Sequence, residues 1–117
     1  MGGNKKIGEW GENFAATYLE NKGFKIIVRN FHTLVGELDL IAVRGKELYG
    51  IEVKTRIVGV FDNDRAITSQ KKERLIKTLK KYCFDNRIDS EEVFLAGIIV
   101  GIDRVFKKVK IRWVLIY

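Results

Sequence analysis

The sequence predicts a mixed α/β fold in the order α-β-β-β-α-β-β. Three observations lead there: apolar residues at helical spacing in two segments, five short strand-like runs, and no proline, Ser/Gly-rich tract or internal repeat to mark a linker. Helices and strands in this order build a mixed sheet with helices packed on it. At 117 residues the chain reads as one domain, residues 1–117, able to bury roughly two-thirds of its unfolded surface.

The first helix is read from Ile7 to about Asn21, because Ile7, Trp10, Phe14, Tyr18 and Leu19 recur at helical spacing and Gly23 follows where a helix end favours glycine. Phe24 to Phe31 alternates Phe24, Ile26 and Val28 with Lys25 and Arg29, the pattern of a strand. Gly36–Val43 and Leu48–Arg56 are two more strands, and Arg44-Gly45-Lys46-Glu47 closes them into a hairpin. The stretch from Ile57 to Ser69, with Gly59, Asp62, Asn63 and Asp64, suits a surface loop.

Thr68 or Ser69 caps a second helix that runs to about Asn86, with Leu75, Ile76, Leu79, Tyr82 and Cys83 on one face. Its other side carries Lys71, Lys72, Arg74, Lys77, Lys80 and Lys81, which suits either a solvated face or a grip on phosphates. Val93–Ile102 is nearly all apolar and is expected at the centre of the sheet. The last strand, Val109–Tyr117, alternates Val109, Ile111 and Trp113 with Lys110 and Arg112. Trp10 reads as core, and Trp113 as core or interface.

Composition narrows the function classes. A net charge of +7 favours polyanions, above all nucleic acid. The single cysteine, Cys83, forms no internal disulfide, and without a CxxC or Cys/His cluster a zinc site is not expected, which points to a reducing cytoplasm. The longest apolar runs, Ala96–Ile102 and Val114–Tyr117, fall far short of the roughly 18 to 20 residues that span a membrane. The basic N-terminus leads into the polar Gly8-Glu9-Trp10-Gly11-Glu12 rather than an apolar signal core, so neither a membrane nor secretion is expected.

The informative residues are Glu37, Asp39, Glu52 and Lys54, ionisable side chains on strands that otherwise read as core. Period-two geometry sets Glu37 and Asp39 on one face, opposite Leu38, Leu40 and Ala42, and Glu52 and Lys54 on one face, opposite Ile51 and Val53. A two- or four-residue hairpin loop gives the same register, with Asp39 opposite Glu52 and Glu37 opposite Lys54. A three-residue loop breaks it.

Opposed carboxylates about 5 Å apart repel by roughly 3 kcal/mol at an effective dielectric of about 20. A favourable cross-strand pair contributes only about 0.2 to 1 kcal/mol, so something must offset the repulsion. A divalent cation between Asp39 and Glu52 does so, and oxygen ligands favour Mg²⁺ or Mn²⁺ over zinc. The same residues also admit a plainer reading, an exposed face with a Glu37–Lys54 ion pair and a solvated or protonated Asp39 or Glu52. Glu12 borders the buried arc of the first helix, as a site residue or a solvated flank. His32, the one histidine, reads as a loop or sheet-edge residue.

Asp39, twelve intervening residues and Glu52-Val53-Lys54 resemble the D…ExK signature of the PD-(D/E)XK nuclease superfamily. A longer pattern is more specific: Gly11-Glu12, Ala15-Ala16, Tyr18-Leu19, Gly23-Phe24, Arg29-Asn30-Phe31, Gly36 to Ala42, Glu52 to Arg56, Ala66-Ile67 and Lys71. In that order it resembles the YraN-like family of predicted endonucleases, over roughly Gly8 to Tyr82. The chain departs from the family at Gly50, where a bulky apolar residue is usual, at His32, and in the loop from Ile57 to Asp64.

The resemblance implies a restriction-endonuclease-like three-layer α/β/α core, related to archaeal Holliday-junction resolvases. It implies a Mg²⁺-dependent endonuclease, with Mn²⁺ as substitute, that hydrolyses DNA, structured or branched DNA included. Asp39, Glu52 and the Val53 carbonyl are then the metal ligands, Glu12 completes the site through a second metal or a water, and Lys54 orients or deprotonates the attacking water. Glu37 is an accessory ligand or positions Lys54. Gln70 and Lys71 approach the scissile phosphate, with Lys72, Arg56 and Arg74 as further nucleic-acid contacts. A branched, symmetric substrate would call for a homodimer. The competing expectation is a nucleic-acid-binding module of the same fold with little or no catalysis.

Overall fold

The computed structural model describes residues 2–58, 68–88 and 92–117, with side chains from Lys6 onward. Seven elements follow one another: α1 (Gly2–Asn21), β1 (Lys25–His32), β2 (Glu37–Arg44), β3 (Glu47–Ile57), α2 (Ser69–Asp85), β4 (Val93–Asp103) and β5 (Lys108–Leu115). This is the predicted order, with α1 beginning five residues earlier than its apolar spacing indicates, at Gly2 rather than Ile7. Most of the expected loop, with Gly59, Asp62, Asn63, Asp64 and the Ala66-Ile67 pair, lies outside the described residues.

The strands form one five-stranded sheet in the order β1-β2-β3-β4-β5. Only β3 and β4 run parallel, because α2 carries the chain back between them, and the other pairs are antiparallel. The β2–β3 hairpin has the expected register, from Arg44 opposite Glu47 to Leu40 opposite Ile51. Gly45, with φ +61, holds the first turn position, where a two-residue hairpin requires positive φ.

The two helices cover opposite faces of the sheet. Ala15, Ala16 and Leu19 of α1 pack on Leu40, Ala42, Tyr49, Ile51, Ala96, Ile98 and Val100. Leu75 and Leu79 of α2 pack on Leu38, Ile41, Leu48 and Leu95. The result is an α/β/α arrangement compatible with a restriction-endonuclease-like core. Thr68 caps α2 by accepting a 3.1 Å bond from the Lys71 N–H.

Small residues set how close the helices come. A Cβ on Gly11 would overlap the Thr55 hydroxyl and lie 2.9 Å from Thr55 Cβ, so the α1 backbone rests directly on β3. With Gly11, Ala15 and Ala16 facing the sheet, Trp10 is turned outward, 41% exposed and packed on Phe14 at 5.2 Å, rather than in the core. A Cβ on Gly50 would stand 3.1 Å from both Leu38 and Leu79, whose side chains fill the space a bulkier residue would take.

Strand β2 does not keep strict alternation. Leu38 joins the α2 cluster while Leu40 and Ala42 join the α1 cluster, so the three do not share a face. The change of face falls at Asp39. Among the described residues no helix is long and apolar enough to cross a membrane.

Candidate functional site

The β2–β3 ladder ends at Leu40 opposite Ile51, one rung before Asp39 and Glu52. Beyond it the Asp39 side chain takes over from the backbone. Its Oδ2 accepts a 2.7 Å hydrogen bond from the Val53 N–H, the donor that a continued ladder would offer to β2. Asp39 is thereby fixed in the notch where the strands part.

Two more carboxyls converge on it. Gly11 brings α1 onto β3 at Thr55, which sets the next residue, Glu12, beside Asp39. Glu52 reaches Asp39 from β3, and its side chain is 19% exposed. Burial pushes Glu52 up to about 8 from an ordinary 4.5, reinforced by the hydrogen bond and charge of Asp39 and opposed by Lys71. Burial also pushes Glu12 up to about 7, with the charge and hydrogen bond of Asp39 and the charge of Glu9 adding to it and Arg29 opposing it. Asp39 is the hydrogen-bond and charge neighbour of both Glu12 and Glu52, giving the chain Glu12–Asp39–Glu52.

This arrangement concentrates negative charge that the protein itself relieves only in part. Lys71 Nζ lies 3.4 Å from Glu52 Oε2, and Arg29 approaches Glu12 while donating to Asn13 Oδ1. Among the described residues no three His, Cys, Asp or Glu side chains close into a ready metal cage. Mg²⁺ does not require one, since it is commonly held by one or two carboxylates with water and substrate phosphate completing the shell. Carboxyls raised by burial and by the charge of Asp39 beside them have the oxygen-donor chemistry of such a site.

The remaining candidates fall in distinct places. Lys54, two residues beyond Glu52, is exposed and has no ion-pair partner among the described residues. Val53 contributes its N–H to Asp39. Glu37 does not meet Lys54 as the extended register requires: it lies opposite His32 on β1, with Oε2 3.0 Å from His32 Nδ1 and both side chains largely exposed. His32 is thus a sheet-edge residue, as its sequence context indicates.

Gln70 is exposed in the first turn of α2, and Lys72 leans over the Tyr117 ring at 5.8 Å. Arg74 is exposed on α2 and Arg56 half-buried on β3. Cys83 is a free, half-buried cysteine whose thiol burial pushes upward. Sequence reasoning missed Gly11 as the residue that seats Glu12. Its signal was a glycine inside a helix, which costs about 1 kcal/mol against alanine unless close packing requires it.

Comparison with known proteins agrees with the motif pattern. The uncharacterised protein family UPF0102 matches residues 11–96, which include every residue of the carboxyl chain. A UPF0102 protein of Alkaliphilus oremlandii is 37% identical over 110 residues, covering 93% of this chain and 94% of its own length. One from Syntrophomonas wolfei is 46% identical over 79 residues, 67% of this chain and 65% of its own. Another, from Clostridium botulinum, is 37% identical over 97 residues, 82% of this chain and 79% of its own. The chain belongs to UPF0102, the YraN-like family that its motifs resemble.

Proposed function

We propose that this protein is a metal-dependent endonuclease that hydrolyses DNA phosphodiester bonds, with branched or structured DNA among its substrates. One observation carries the reading: Glu12, Asp39 and Glu52 meet at the notch between β2 and β3 with Glu12 and Glu52 held above their ordinary pKa. A fold gains little from three neighbouring carboxyls, whereas phosphoryl chemistry needs them to hold a cation against a polyanion.

Asp39 and Glu52 are the ligands for Mg²⁺ or Mn²⁺, and Glu12 completes the site from α1. When bound, the ion supplies positive charge beside the phosphorus. The Val53 N–H keeps the Asp39 carboxylate aimed into the notch. Lys54 orients the attacking water and balances charge that develops on the phosphoryl oxygens. Lys71, 3.4 Å from Glu52, stands where its ammonium would reach a phosphate oxygen beside that carboxyl. Gln70 lies beside it in the first turn of α2, whose N–H groups favour anions.

A binding module without catalysis is the second reading, and the Lys71–Glu52 pair favours it, because that pair quiets one carboxylate without a metal. The two separate in a cleavage assay with labelled single-stranded, duplex, flap and four-way-junction DNA and Mg²⁺ or Mn²⁺. The nuclease reading requires metal-dependent products that disappear in Asp39→Ala and Lys54→Ala. Binding without products on any substrate supports the module instead.

A further inference from the structure

The register of β3, β4 and β5 sets two rows of side chains across the sheet. In one, Lys54 lies beside Ile99 and Arg112; in the next, Arg56 lies beside Gly101 and Lys110. Residues paired across neighbouring strands project from the same face. One row below is Glu52 beside Gly97, and below that are Gly50 and Leu95, on the face that carries α2.

Helix α2 covers only the lower part of this face. Its cluster includes Leu48, Val93, Leu95 and Ile116 and none of the residues in the two upper rows. Lys54, Lys110 and Arg112 are exposed, and neither row contains an Asp or Glu. Lys54, Lys110 and Arg112 therefore present positive charge on one face, complementary to a polyanion. Strands stand about 4.8 Å apart, so Lys54 and Arg112 are about 10 Å apart across β4. Ile99 floors the space between them, and in the next row the Val58 side chain comes within 3.9 Å of where a Gly101 Cβ would stand.

We infer that Lys110 and Arg112, together with Lys54 and Arg56, form a phosphate track that carries a nucleic-acid strand from the Glu52 carboxyl across β4 to the β5 edge. The inference rests on the nuclease reading and adds the path the substrate takes. A width of about 10 Å accommodates about three nucleotides at a rise of roughly 3.4 Å per strand. Cations on an edge strand also discourage edge-to-edge pairing. That role asks only for charge on β5 and not for the alignment with Lys54 and Arg56 on β3.

The test is DNA binding in EDTA over a range of salt concentrations, with fluorescent single-stranded and duplex oligonucleotides. It compares the full chain, Lys110→Ala/Arg112→Ala, and a charge-matched control, Lys25→Ala/Lys46→Ala, each confirmed folded by thermal melting. The track predicts that the slope of log K against log salt falls by about 2 in the β5 variant and holds in the control. Equal slopes in the two variants overturn it. So does a β5 variant that self-associates in sedimentation while binding DNA like the unaltered chain, which leaves edge protection as the role of these cations. Metal-dependent cleavage by the unaltered chain without a slope change discards the track and keeps the nuclease. A slope change without any cleavage keeps the track and discards the nuclease.

Discussion

Asp39 Oδ2 and the Val53 N–H form a 2.7 Å hydrogen bond just past the last paired rung of the β2–β3 hairpin. This side chain does a strand's work and stands beside Glu12 and Glu52. Structure and site chemistry meet in one residue. Asp39→Asn retains an oxygen that accepts from Val53 while removing the charge. The variant should melt as high as the unaltered chain in metal-free buffer. Cleavage should fall by more than the roughly 10- to 100-fold typical of an outer-shell partner. Asp39→Ala should lose both, with melting curves separating the two cases.

Stability should respond to pH through Glu12 and Glu52. Their folded-state values, about 7 and about 8, lie above the ordinary 4.5, so the folded chain binds protons that the unfolded chain has released. The contribution is therefore greatest at low pH and is lost as pH rises from 4.5 through 7 and 8. Urea midpoints without metal should fall over this window, and Glu12→Gln/Glu52→Gln should flatten the fall. Added Mg²⁺ competes with these protons and should stabilise the chain more above the window than within it.

Gly11→Ala should destabilise the chain by about 1 to 3 kcal/mol, because the new methyl meets Thr55 and nothing on the rigid β3 backbone yields. Thr55→Ala in the same chain should restore part of the loss, since it removes the overlapping hydroxyl but not the Cβ at 2.9 Å. Thermal melts of the single and double variants measure this coupling. Cleavage should fall with Gly11→Ala as well, because the shift moves Glu12.

Gly50→Val should destabilise by a similar amount of about 1 to 3 kcal/mol, as its branches press on Leu38 and Leu79. Leu79→Ala alone leaves a cavity, yet combined with Gly50→Val it should cost less than the sum of the two changes. Chemical denaturation of the four chains in the cycle gives the interaction directly. A bulkier residue at this position is then a matter of filling the same space from β3 instead of α2.

Much of the fold was legible because its signals are local. The glycine turn at Gly45 and the alternation around it specified the hairpin register, and the helical spacing of Leu75, Ile76 and Leu79 specified the buried face of α2. Where strands part is not a local property. Extending the ladder past Leu40 put Glu37 opposite Lys54, whereas Asp39 ends the ladder and Glu37 turns to His32. On helix one the apolar spacing found Leu19 and the flanking Phe14 and Tyr18, but it put Trp10 in the core, whereas close approach at Gly11, Ala15 and Ala16 leaves Trp10 turned outward. Lys110 and Arg112 gained meaning only from the pairing of β5 with β4, which no spacing within β5 reveals.

The most direct test of the carboxyl chain as a metal site is a Mn²⁺ titration at about pH 8, followed by calorimetry or by the loss of the free-ion electron paramagnetic resonance signal. The account predicts saturable binding to the unaltered chain with release of protons, and its loss in Asp39→Asn with the fold intact. Equal Mn²⁺ binding by the two chains, or none by either, would contradict it.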